Sequence, residues 1–288
     1  MKQISNISEM KSWSRAVRGN GQTVGFVPTM GYLHDGHLAL VKHSLKECDR
    51  TVVSIFVNPI QFAPGEDLDS YPANLERDIN LLSKLGVDAV FVPTRDELVP
   101  KDLDTFVEVK NLTEHLCGKS RPEFFRGVTT IVLKLFHIVQ PDIAIFGEKD
   151  RQQLEVIRKM VADLNLDIKV LGLPITREQD GIAQSSRNTY LNPEERISAR
   201  SLCQALESGR TMILNGETSA KIVKNQIRSV IESQTGTRID YVSVCDPKRF
   251  DEISQIGNSV MLALAVHIGK ARLIDNCLVE KSSCKEPC

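Results

Sequence analysis

Val24-Gly25-Phe26-Val27-Pro28-Thr29-Met30-Gly31-Tyr32-Leu33-His34-Asp35-Gly36-His37 starts as a short apolar run, breaks at a proline and a glycine, and passes into a helical pattern. The apolar run predicts a buried strand, with Pro28 ending it because proline offers no N–H to a ladder. Further on, Leu38, Val41 and Leu45 recur at helical spacing, which predicts a helix over residues 37–49. A helix entered this way points its first unpaired N–H groups back toward the strand end. Those donors and the helix dipole favour an anion. His34 and His37, three residues apart, add imidazole donors on the same side, and Gly36 lets a phosphate come close to the backbone.

The alternation of strand and helix continues outward from this stretch. Residues 51–57 are β-branched and apolar, closed by Asn58-Pro59; residues 75–85 are helical; residues 89–92 form a strand stopped by Pro93. A buried helix follows over 129–139, then a strand over 143–146, a helix over 150–164 and a strand over 168–171. Strands separated by crossover helices imply a parallel sheet with right-handed connections. Ligands of such sheets bind outside the carboxyl ends of the strands. The tail differs. Two amphipathic helices over 194–234, broken at Asn215-Gly216, precede strand-like runs at 241–244, 260–266 and 272–274. That order suggests a small α+β domain. The boundary is expected within 174–181, giving domains 1–175 and 176–288.

Composition sets the class. The 288 residues are 41% hydrophobic and 25% charged, an ordinary mixture with ample material for a core. With 36 basic and 37 acidic side chains the net charge is −1, which gives no electrostatic footprint for nucleic acid or an anionic membrane. No apolar run approaches the ~20 residues needed to span a bilayer, and the N-terminal segment lacks the apolar core of a signal peptide. Seven cysteines are scattered without a CxxC pair, which reads as reduced thiols in the cytoplasm. Cys284 and Cys288 sit in a polar tail and would be reactive if exposed.

Neither GxGxxG nor GxxxxGK[ST] occurs, so His34-Asp35-Gly36-His37 is the one candidate phosphate cradle. Its bland alternative is a pair of surface histidines beside a glycine turn. A zinc site would need a third ligand; His43 lies two turns into the predicted helix, and no HExxH arrangement exists.

Val27-Pro28-Thr29-Met30-Gly31, continued through His34-Asp35-Gly36-His37, resembles the signature of the pantothenate synthetase family, within the HxGH nucleotidyltransferase superfamily. The resemblance extends through Val53-Ser54-Ile55-Phe56-Val57-Asn58-Pro59-Ile60-Gln61-Phe62 and Gly127-Val128-Thr129-Thr130. It resumes at Gln140-Pro141-Asp142, at Phe146-Gly147-Glu148-Lys149-Asp150-Arg151-Gln152-Gln153, at Ser185-Ser186-Arg187-Asn188 and at Ala271-Arg272-Leu273-Ile274-Asp275-Asn276. It implies an α/β fold with a Rossmann-like parallel sheet and flanking helices, plus a smaller C-terminal α+β domain closing over the ATP site. It also implies a cytoplasmic homodimer acting on pantoate, β-alanine and ATP, with Mg2+ neutralising the triphosphate.

The implied reaction has two steps: ATP adenylates pantoate, releasing pyrophosphate, and β-alanine's amine then displaces AMP. The first step needs fixed positive charge and donors around the phosphates. His34 and His37 fit as donors, and Lys149 follows the strand at 143–146 toward the same strand ends. Arg187 offers a charged fork, with Ser185 and Ser186 as further donors. The resemblance makes His37 the proton donor and places ATP against Met30, Gly31, Tyr32, Leu33, His34, Asp35, Gly36 and His37. It adds Gly147, Glu148, Lys149 and Asp150, with Thr176, Gln184, Ser185, Ser186 and Arg187 completing the set. Gln61 is assigned to pantoate and β-alanine, and Gln153 to pantoate. Met30, Phe56 and Phe62 are candidates for an apolar wall against pantoate's geminal methyl groups. Asp78 is a candidate for indirect, water-mediated contact with the metal; its alternative is an exposed helix aspartate.

The chain departs from the family's usual pattern in places. Ala73-Asn74 stands for Arg-Thr, Glu123-Phe124 interrupts Arg-Pro-Gly-His-Phe, Cys117 replaces a glutamate, and Thr176 and Gln184 replace apolar residues. A different HxGH transferase would not need Asn58-Pro59-Ile60-Gln61, and a non-catalytic nucleotide binder would not need His34, His37, Lys149 and Arg187 together.

Overall fold

The computed structural model describes residues 1–281, so Cys284 and Cys288 lie outside the described residues. In chain order the first elements are β1 (Lys2–Ile4), α1 (Ile7–Gly19), β2 (Val24–Thr29), α2 (Asp35–Glu47) and β3 (Arg50–Ile55). Next come α3 (Leu75–Leu85), β4 (Ala89–Phe91), α4 (Arg95–Leu98), α5 (Leu116–Ser120), α6 (Phe124–Val139) and β5 (Ile143–Gly147). The remainder is α7 (Arg151–Asp163), β6 (Lys169–Leu173), α8 (Pro193–Leu214), α9 (Ala220–Glu232), β7 (Thr237–Cys245), β8 (Ser259–Ile268) and β9 (Ala271–Glu280). No helix among the described residues is long and apolar enough to cross a membrane.

The chain divides into two compact units, one of Met1–Thr113 with Arg121–Thr176, the other of Glu114–Ser120 with residues from Arg177 onward. The first holds a six-stranded parallel sheet in the order β1-β4-β3-β2-β5-β6. Its core gathers Val27, Val53, Val90 and Ile145 from the strands with Leu40, Val41 and Leu82 from α2 and α3. From β2 the chain steps to β3 on one side, and from β5 to β6 on the other. The winding therefore reverses between β2 and β5, where open α/β sheets form a ligand crevice. Pairing of β2 with β5 is confined to Gly25–Ile143 and Phe26–Ala144, so the two strands part toward their carboxyl ends.

Pro28 does not end β2, contrary to the expectation from sequence; the strand runs on to Thr29, with Pro28 opposite Ser54 of β3. The reason is directional. Val24 exchanges its N–H and C=O with Asp142 on the β5 side, whereas Thr29 accepts from Phe56 on the β3 side. Peptide groups at even positions thus face β5, and at Pro28 that side has no partner strand. The missing N–H costs no ladder bond there.

The second unit is a three-stranded antiparallel sheet, β7-β8-β9, with a bulge between Ile239 and Tyr241. Val242, Val244, Leu262, Leu264 and Val266 pack with Leu202, Leu206 and Ile213 of α8 and Val223, Ile227 and Ile231 of α9. Asn192 and Glu195 form a capping box with Pro193 at the first helical position, which fixes the start of α8. The two units match the expected parallel sheet and smaller α+β region. The earlier piece Glu114–Ser120 was not expected in the second unit. Polar side chains hold it there: Ser120 Oγ donates to Asp240 (2.9 Å), Arg272 lies 3.8 Å from the buried Cys117 sulfur, and His115 pairs with Asp251 at 3.3 Å.

Candidate active site

The turn leaving β2 carries two consecutive left-handed residues, Gly31 (φ +87°) and Tyr32 (φ +49°). A side chain at position 31 would bring its Cβ to 3.0 Å from Ile55 and 3.2 Å from the Asp78 carboxylate, so glycine is needed for both shape and space. Thr29 Oγ1 accepts the Gly31 N–H (3.2 Å) and donates to the Ser54 carbonyl (2.8 Å). Leu33 is fully buried and anchors the turn in the core, a contribution of about 1.5–3 kcal/mol. The N–H groups of Tyr32 and Leu33 donate to Oδ2 (2.7 Å) and Oδ1 (2.8 Å) of Asp78, on the first turn of α3. Asp78 is 1% exposed, with Arg77 3.3 Å away. Burial pushes its carboxyl above the ordinary value, and the two backbone donors and Arg77 pull it back.

His34 is the extended residue that starts α2, and His37 sits on the helix's first turn. Their rings lie 4.0 Å apart at a tilt of 32°, and the His34 N–H donates to His37 Nδ1 (3.4 Å). Burial, then the neighbouring His34, then the Lys149 ammonium hold the His37 imidazole well below its usual pKa. It is therefore neutral at pH 7. With Nδ1 accepting, the proton resides on Nε2, which makes that nitrogen a donor. Lys149 belongs to the 3-10 turn Glu148–Asp150 that follows β5, and its ammonium is 3.8 Å from the Asp150 carboxylate. The Lys149 charge on the segment after β5 thus acts on the His37 ring on the segment after β2.

Gln61 closes the 3-10 turn Pro59–Gln61 beyond β3. The buried Asn58 organises it: Oδ1 accepts from the Ile60 N–H (3.2 Å), and Nδ2 donates to Gln61 Oε1 (3.0 Å) and the Gly127 carbonyl (3.1 Å). Gln61 Nε2 lies 3.0 Å from the Met30 sulfur, so the amide bridges two motif segments. Gly127 on α6 has no room for a side chain, because a Cβ would meet the Ile60 carbonyl oxygen at 2.2 Å. We expect Gly127→Ala to destabilise the fold by at least about 1–3 kcal/mol through overpacking and to displace Gln61. Urea midpoints check this: a midpoint below that of the wild type is expected.

The departures at 123–124 have a local account. Arg121 donates to both Glu66 carboxylate oxygens (2.6 and 2.5 Å) and to the Gln61 carbonyl (3.0 Å), with its guanidinium 4.0 Å over the Phe124 ring. Glu123 is exposed and pairs with Arg126 at 3.0 Å. Asn74 keeps a capping function, accepting the Arg77 N–H at 3.1 Å. Gln153 is half-buried on the first turn of α7, whereas Gln152 turns inward and donates to the Leu112 carbonyl (2.8 Å).

Met30, Gln61, His34, His37, Lys149 and Asp78 all belong to the first unit, as does the half-buried Thr176. Gln184, Ser185, Ser186 and Arg187 belong to the second. Ser185 Oγ accepts the Arg187 N–H at 3.3 Å to start the turn Ser186–Tyr190. Asn188 donates to Glu178 (2.5 Å) and to the Ala183 carbonyl (3.1 Å), and Arg196 holds Glu178 and Asp180 at 2.5 and 2.9 Å.

The family model for pantoate-beta-alanine ligase matches residues 2–278. The chain belongs to the pantoate-beta-alanine ligase family. It is 52% identical over 280 residues to the pantothenate synthetase of Heliobacterium modesticaldum, covering 97% of this chain and all of that protein. Among solved structures, the pantothenate synthetase of Thermus thermophilus superposes with a TM-score of 0.91 at 41% identity, over 96% of this chain and 99% of that one. The ligase of Francisella tularensis, solved in complex with beta-gamma ATP and beta-alanine, gives 0.79 at 35% identity, over 96% and 97%.

Within this candidate site, three contributions escaped the sequence reading: Asn58 as the orienter of Gln61, Gly127 as the close contact under it, and Asp78 as acceptor for the turn after β2. An asparagine just before proline is a local turn signal and pointed to Asn58 in part. The other two depend on contacts between segments far apart in sequence, which no spacing reveals.

Proposed function

We propose that this chain joins pantoate to β-alanine at the expense of ATP, through pantoyl-adenylate, with pyrophosphate and AMP as co-products. The observation that carries this reading is the neutral His37 donor beside the Lys149 charge at the β2/β5 switch point, with the buttressed Gln61 amide in the turn beyond the neighbouring β3. In the first step a pantoate carboxylate oxygen attacks the α-phosphorus and the bond to pyrophosphate breaks. His34, His37 and Lys149 take up the charge that moves onto the β- and γ-phosphates, and Arg187, with the Ser185 and Ser186 hydroxyls, acts on the same nucleotide. Backbone groups over residues 30–37 and 147–150, with Thr176 and Gln184, hold the rest of ATP. Gln61 and Gln153 orient pantoate without competing for its charge, and Met30 supplies apolar surface.

In the second step β-alanine's neutral amine attacks the acyl carbon and AMP departs with one former carboxylate oxygen. No acyl-enzyme nucleophile is needed, because the adenylate is already activated. The amine proton released as the amide forms goes to solvent; the resemblance names His37 as proton donor, and as a neutral imidazole it serves here through its Nε2–H as a hydrogen-bond donor. Among the described residues no group of three or more His, Cys, Asp or Glu side chains is placed to hold a metal. In this reading magnesium would enter as the counter-ion of the triphosphate, a role in which it keeps most of its ligands from phosphate and water. The same reading makes the enzyme a cytoplasmic homodimer. Its thiols suit a reducing compartment: Cys48, Cys117, Cys203, Cys245 and Cys277 are unbridged, and burial pushes Cys48 up to about 11 and Cys245 to about 12.

Pantoate labelled with heavy oxygen in its carboxylate tests the route. With ATP and β-alanine present, mass spectrometry is expected to find one labelled oxygen in AMP. Label in inorganic phosphate, with ADP as co-product, would indicate an acyl-phosphate ligase and overturn the mechanism.

A further inference from the structure

We infer that Asp78 is a positioning residue for the adenylation step, acting through the backbone of the turn between β2 and α2 and not through a metal ion. This rests on the functional reading above and names a part of the machinery outside the phosphate and substrate contacts.

The turn must reverse the chain at the end of β2 and deliver His34 to the start of α2. It does so with two left-handed residues in succession, of which Tyr32 has a Cβ and is held against its preference. Reversal leaves the N–H groups of Tyr32 and Leu33 pointing into the protein. Each finds one oxygen of the same carboxylate, at 2.7 and 2.8 Å. A bidentate, charged acceptor fixes the plane of two successive peptides, which a single neutral acceptor cannot do. Leu33 is fully buried on one side of this clamp, and His34 is the very next residue. Any tilt of the clamped peptides is passed to the His34 imidazole and to the N-terminal N–H groups of α2.

The metal alternative asks more of Asp78 than its surroundings give. The residue is 1% exposed, both oxygens already accept backbone donors, and Oδ1 also faces Arg77 at 3.3 Å. The backbone of the turn runs so near the carboxylate that a Cβ at Gly31 would stand 3.2 Å from Oδ2.

The test compares wild-type protein with Asp78→Asn, which keeps the size but turns one acceptor into a donor facing an N–H. Both are assayed well below their thermal transitions, with circular dichroism verifying the fold. Pantoate-dependent exchange of labelled pyrophosphate into ATP is expected to fall about 100-fold with a raised ATP KM, as a displacement near 1 Å produces. The pantoate KM and the magnesium concentration for half-maximal rate are expected to stay as in wild type. Wild-type exchange in folded Asp78→Asn, or recovery at high magnesium, overturns the inference. Should the variant not fold, hydrogen exchange on wild-type protein decides. Slow exchange at the Tyr32 and Leu33 amides supports the clamp, and rates of an open loop overturn it. Absence of exchange activity in wild type would instead count against the functional reading itself.

Discussion

Pantoate-dependent pyrophosphate exchange falls by roughly 10²–10³-fold when His37 is replaced by alanine, the range expected for loss of one preorganised hydrogen-bond donor to developing charge. With Lys149, this residue carries the largest effect anticipated in the site. His37 is held neutral by burial, His34 and Lys149, and its Nδ1 is occupied by the His34 N–H. What remains is one Nε2–H donor of fixed direction, and alanine removes it with little else. Far-UV dichroism is expected to be unchanged, because position 37 lies on a helix that alanine favours. A second readout follows from proton linkage. The folded pKa is depressed, so as pH falls through the ordinary imidazole value of 6.5 the unfolded chain takes up a proton that folded His37 refuses. Native stability drops through that window, and His37→Ala is expected to lose this part of the slope in denaturation series at different pH. Exchange at the wild-type rate in His37→Ala would remove His37 from the mechanism.

The second large effect belongs to Lys149. Lys149→Met retains much of the stem and deletes the charge. It is expected to slow exchange by roughly 10²–10³-fold, comparable to removing one charge-stabilising donor from a transition state. The loss should appear mainly in the rate at saturating pantoate, since the ammonium is assigned to the phosphates. It carries a signature independent of turnover. Lys149 is one of the groups that lower the His37 pKa, so removing it raises that pKa toward 6.5, visible by NMR titration of the imidazole in the free protein. A His37 titration unmoved in Lys149→Met would show that the two groups do not share an electrostatic field.

Much of this was legible in the chain because the decisive features are local. The strand, turn and helix of residues 24–47 lie in one stretch, and their order alone implies an anion site at a strand end. α3 and the strands flanking it announced themselves through periodicity and breakers, with α3 spanning Leu75–Leu85 as read. β1 did not, because three residues are too few to show alternation, and it is defined by pairing with β4. Pro28 misled for a related reason. Whether a proline breaks a strand depends on which side has a neighbour, and that is a property of the assembled sheet. Asp78 looked like an exposed helix aspartate or a metal contact, since its partners Tyr32 and Leu33 come from another segment. Gly127 stood out in the motif, yet its reason, the Ile60 carbonyl, lies on a different element. Single side chains that serve another segment's backbone are what linear patterns conceal.

The short piece Glu114–Ser120 has a bearing on how the chain is made. It belongs to the second unit, yet it is synthesised before α6, α7 and the last two strands of the parallel sheet. The groups it binds, Asp240, Asp251 and Arg272, are added well over 100 residues later. At about 5–20 residues per second on the ribosome, the piece waits about 6–30 s for its partners. During that interval the chain on both sides of it can settle into the parallel sheet. The second unit is thus a domain with one early stitch, completed only once Arg272 has been made, and a fragment beginning at Arg177 would emerge without that stitch.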